Sequence, residues 1–165
     1  MFKSTLTLGA ILLATSAFAN ETPITGNVSS KCSIYTDTTG VYGNPTPSTL
    51  STLTTDGGVM PVVRYDVATA AAYTAKISYP LSFSQAPTLT DAVAFTGNAE
   101  VSNTSDAGMS GYEAAKVQYE NVTEFGLTVA GSTWFKVTSA VAYGSAKALP
   151  GGTYTANVVA ECIAD

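Results

Sequence analysis

Apolar and polar residues alternate with a period of two along much of the chain, the signature of half-buried strands. The last stretch shows it best. After the turn Leu149-Pro150-Gly151-Gly152-Thr153, residues Tyr154, Ala156, Val158, Ala160 and Cys162 share one face, with Thr155, Asn157 and Glu161 on the other. Residues 24–35 match it, with Ile24, Gly26, Val28, Ser30, Cys32 and Ile34 opposite Thr25, Asn27, Ser29 and Lys31. Tyr73, Ala75, Ile77 and Tyr79 alternate with Thr74, Lys76 and Ser78 until Pro80 stops the strand. Phe125, Leu127 and Val129 alternate, Gly131-Ser132 turns, and residues 134–138 return, which predicts a hairpin. Asp56-Gly57 predicts a second tight hairpin between residues 50–55 and 59–65, with Pro61 marking an edge or a bulge.

The remaining segments are weaker. Asn44-Pro45-Thr46-Pro47 cannot lie in a central strand, because proline lacks the ladder donor. Residues 91–96 and 98–103 read as two short strands around Gly97, and residues 141–143 as another. Residues 67–72 fit a helical turn or a wide loop. Residues 112–119 fit a short helix or a strand, since Ser110-Gly111-Tyr112-Glu113 has capping-box spacing. Together these are about eight to ten strands with frequent turns, which predicts an all-β fold: one immunoglobulin-like or jelly-roll β-sandwich.

The first nineteen residues stand apart. Lys3 precedes the apolar residues 6–13, and Ala17-Phe18-Ala19 has the small-x-small pattern of a signal-peptide cleavage site. The apolar run is short of the roughly 20 residues needed to cross a bilayer. Residues 1–19 are therefore expected to be a signal peptide, and residues 20–165 a single secreted domain, in the periplasm, at the cell surface or outside the cell.

Export changes the reading of the two cysteines. Cys32 and Cys162 are expected to form one disulfide that joins the N- and C-terminal strands. Either it spans two facing sheets, or the terminal strands are neighbours in one sheet. The shared alternation phase favours neighbours. Seven basic residues, Lys3 among them, face twelve acidic ones, so the exported chain would carry about −6. That excess, with no basic cluster, argues against nucleic acid and anionic membranes as partners.

The sequence holds no histidine, so the commonest general base and metal ligand is missing. Its carboxylates are scattered singly, and Asp37 with Asp56 or Asp106 with Glu113 matches no regular calcium loop. No enzyme activity, cofactor or metal is expected. Asn27, Asn103 and Asn121 head acceptor triplets for N-glycosylation, which a Ser/Thr-rich chain produces by chance. The nine tyrosines and Trp134 are more informative, because aromatic residues on a sheet face can stack on sugar rings or seal an interface. Tyr42, Tyr65, Tyr112 and Tyr143 are the candidates for exposure.

Ile24-Thr25-Gly26-Asn27-Val28-Ser29-Ser30-Lys31-Cys32-Ser33-Ile34 resembles the opening of bacterial chaperone–usher fimbrial subunits and spore-coat-U-like proteins. Gly151-Gly152-Thr153-Tyr154-Thr155-Ala156-Asn157-Val158 resembles their closing strand. The resemblance implies an incomplete immunoglobulin-like sandwich that a strand of the next subunit completes. Thr22, Ile24, Gly26, Val28 and Ser30 would then be the donor strand, and a periplasmic chaperone would be a partner. The expected role is a structural or adhesive surface subunit that associates with copies of itself or with other surface subunits. The alternative is a secreted module that binds glycan through exposed aromatics. An exported hydrolase with two carboxylates ranks third.

Overall fold

The computed structural model describes residue 25 and residues 31–68, 71–144 and 147–165. Residues 1–19, expected to be a signal peptide, and all five candidate donor-strand residues (Thr22, Ile24, Gly26, Val28 and Ser30) lie outside that set. The described chain is all-β, with ten strands: β1 (Cys32–Thr38), β2 (Gly43–Thr46), β3 (Thr49–Ser51), β4 (Val62–Val67), β5 (Tyr73–Ser78), β6 (Val93–Thr104), β7 (Val117–Tyr119), β8 (Val122–Leu127), β9 (Gly131–Tyr143) and β10 (Val159–Ala164). They form two antiparallel sheets. The six-stranded sheet runs β1-β4-β9-β3-β2, with β6 along the other side of β9, and the four-stranded sheet runs β10-β5-β8-β7.

The chain passes from one sheet to the other five times, between β4 and β5, β5 and β6, β6 and β7, β8 and β9, and β9 and β10. The order β1-β4-β9-β6, facing β10-β5, follows the A-B-E-D and F-C order of an immunoglobulin domain. The β7–β8 hairpin widens the second sheet beyond β5. On the outer side of β10, where an immunoglobulin domain carries its last strand, no described strand is paired.

Alternation builds the core. Tyr73, Ala75 and Ile77 of β5 point inward, as do Phe125 and Leu127 of β8. From the opposite sheet come Val63, Tyr65 and Val67 of β4 and Phe135 and Val137 of β9. Phe135 meets Tyr65 edge-on at 5.4 Å and Phe125 at 4.5 Å, so three rings span the gap between the layers. The Tyr65 hydroxyl reaches across and donates to the carbonyls of Lys76 and Glu161, at 3.3 and 3.1 Å. One side chain of the first sheet thereby ties both β5 and β10 of the second.

Several expected pairings are corrected. Both expected hairpins are absent: β3 and β4 each flank β9, and β8 and β9 belong to different sheets. The Asp56-Gly57 turn exists as a short 3-10 turn closed by Gly57 at φ 76°, a conformation that favours glycine. Residues 91–103 contain one strand, not two. Gly97 lies inside β6, where a Cβ would stand 2.4 Å from the Thr138 carbonyl and 2.7 Å from the Tyr79 ring, so the glycine marks a close approach and not a turn. Residues 112–119 are turns followed by the short β7, with no α-helix. The terminal strands are not neighbours in one sheet, since β1 and β10 lie in opposite layers.

Candidate functional site

Cys32 and Cys162 are bonded, and their Cα atoms stand 6.4 Å apart across the layers. Packed sheets ordinarily lie about 10 Å apart, so the disulfide draws the edges of β1 and β10 together at this end. β1 runs away from the bridge towards Thr38, while the chain entering β10 runs towards it through residues 152–158. Between them the layers part and leave a groove of about 660 Å³. Thr36, Thr38 and Pro61 line one wall, Tyr154, Ala156 and Val158 the other, and Leu50, Val63 and Ser139 lie deeper. Among the described residues no charged side chain lines it.

Only part of the second wall is strand. Residues 154–158 continue the alternation of β10, but among the described residues their only pairing is a bridge between Thr155 and Gln85. The alternation that predicted one long terminal strand is real. Along half its length no described strand pairs with it.

Tyr42 stands in the groove, half-buried, with its hydroxyl 2.8 Å from that of Ser139. Burial raises its pKa, against the opposing pull of that hydrogen bond. The other three tyrosines expected to be exposed are core residues: Tyr65 is fully buried, and Tyr112 and Tyr143 nearly so. Each has a polar reason to sit inside. The Tyr112 hydroxyl accepts from the amides of Thr128 and Val129, and the Tyr143 hydroxyl accepts from the Thr90 amide. The exposed tyrosines are Tyr35 and Tyr119, at 48% and 45%. Alternation carried the signal for Tyr35, which is out of phase with Cys32 and Ile34.

The carboxylates serve the fold. Asp106 accepts from the Gly108 amide, and Glu113 from the Val101 amide. Asp91 takes two contacts from Lys147, at 2.8 and 2.9 Å, which hold its carboxyl below the usual range. Among the described residues no group of three or more His, Cys, Asp or Glu could hold a metal. The Asn121 triplet is closed to modification from within: the Asn121 amide donates to the Tyr79 carbonyl, and the Thr123 side chain is buried.

Comparison with known protein families, curated proteins and solved structures yields no match. The functional reading therefore rests on the residues and the geometry. Among the described residues no helix is long and apolar enough to cross a membrane.

Proposed function

We propose that this chain is an exported structural or adhesive surface subunit, and that it associates with further copies by accepting a donated strand along β10. The supporting observation is the open sandwich edge. Among the described residues β10 has a strand partner on one side only, and beside it a groove lined by uncharged residues opens onto core residues. Unpaired strand edges template the addition of another strand, and pockets along such an edge receive alternate side chains. Residues 22–30 of a second copy have the right pattern, with Ile24 and Val28 to enter the groove and Gly26 to permit close approach. Because the disulfide closes the groove at Cys32, only residues before it are free to be donated.

The test compares disulfide-intact residues 20–165 with the same chain lacking residues 20–30. Light scattering should show concentration-dependent association of the longer chain and a monomer for the shorter. A synthetic peptide of residues 20–30 should bind the shorter chain and slow amide exchange in β10. Equal masses for the two chains, or no effect of the peptide, would overturn the reading.

A further inference from the structure

The outer face of the six-stranded sheet carries a different kind of surface. Register places Tyr35, Arg64, Trp134 and Asn103 in one row across β1, β4, β9 and β6. The Arg64 guanidinium lies 4.8 Å from the Tyr35 ring centre and 6.0 Å from that of Trp134, so it sits between the rings. Its Nε stands 3.0 Å from Asp66, an ion pair whose angle is not that of a hydrogen bond, and its Nη1 stands 3.9 Å from Asp37. Two strand spacings separate Tyr35 from Trp134, about 10 Å of nearly flat surface.

We propose that this row is a glycan-binding site that takes a neutral saccharide spanning the two rings. Sugars offer flat C–H faces and rows of hydroxyls, and this row offers aromatic rings with donors and acceptors held between them. Asp37 and Asp66 together outnumber Arg64 by one charge, and in the next row Glu100 pairs with Lys136 at 3.2 Å. The surface therefore carries a net charge of about −1, which disfavours a polyanion, while the outer donors and acceptors of these side chains can hydrogen-bond to hydroxyls. The row is held rigidly, because cross-strand pairing and the flanking carboxylates fix Arg64 between the rings. It lies on the opposite face of the sheet from the core, so binding here does not depend on the assembly groove.

The test uses disulfide-intact residues 20–165 on an immobilised panel of neutral, sialylated and sulfated glycans. A neutral oligosaccharide should bind, with less than twofold change in affinity between about 50 and 500 mM salt. Tyr35→Ala, at an exposed position that should leave folding intact, should weaken binding about tenfold or more. Tyr35→Phe, which keeps the ring, should restore it, and Trp134→Ala should abolish it. The chain lacking residues 20–30 should bind as well as the longer one, which separates this site from the strand-exchange reading. Three results would overturn the proposal: no neutral glycan bound, affinity unchanged in Tyr35→Ala, or binding confined to anionic glycans and lost with salt.

Discussion

Tyr65 shows how one residue can be legible in phase and opaque in role. Its alternation with Val63 and Val67 marks it as inward, yet a tyrosine near the end of an expected strand also fits an exposed position. What decides is a distant acceptor: the carbonyl of Glu161, on a strand 96 residues away. Nothing near Tyr65 in sequence announces that partner. Tyr65→Phe keeps the ring and leaves two carbonyls short of a donor, so urea titration should show a loss of about 1–2 kcal/mol at neutral pH. Burial, then the Glu161 charge, push its pKa far above the ordinary 10.0. Above about pH 10 the unfolded chain releases this proton while the folded chain keeps it, so stability falls as pH rises from there. In Tyr65→Phe that component is missing. The gap between the two proteins should therefore narrow above pH 10, and a constant gap from pH 7 to 11 would refute this account.

The elements themselves were largely readable, and their pairing was not. β5 emerges from the alternation of Tyr73, Ala75 and Ile77, and β2 lies at an edge as Pro45 requires. A turn such as Gly131-Ser132, however, is compatible with a hairpin and with a crossing between sheets. The choice depends on which faces meet, and that is a long-range property. The groove was hidden for the same reason, since residues 154–158 alternate like a strand whether or not a partner lies beside them. β6 shows how an edge can be protected by side chains that sequence does not place. Its Val101 amide donates to Glu113 at 2.8 Å, and Lys116 donates to the Ala99 carbonyl at 3.3 Å, with Lys116 and Glu113 paired to each other. Two groups that could template another strand are thereby occupied. Replacing Glu113 and Lys116 together by alanine should cost about 1 kcal/mol or less. The larger effect should be faster hydrogen exchange at Val101 and concentration-dependent association along β6. A double variant that stays monomeric, with Val101 exchange unchanged, would show that the edge is guarded by something else.

At the scale of the molecule, the Tyr65 hydroxyl and the bridge between Cys32 and Cys162, which closes a loop of 130 residues, link the layers beside the apolar core. A cross-link of that span lowers the entropy of the unfolded chain by about 4–5 kcal/mol on the chain-entropy account. That is a large share of the roughly 5–15 kcal/mol that stabilises a domain of this size. The Cys32→Ser, Cys162→Ser double variant should therefore fold, because the three-ring core and Tyr65 remain, but with a clearly lower urea midpoint. The bridge also sets the end of the groove. Without it β1 and β10 are free to part beyond Cys32, and a donated strand could run further along β10. If strand donation is the mode of association, the cysteine-free variant should bind the peptide of residues 20–30 at least as tightly as the bonded protein, although it is less stable. Peptide affinity that falls together with stability would mean that the bridge shapes the acceptor site, and that the groove is not limited by it.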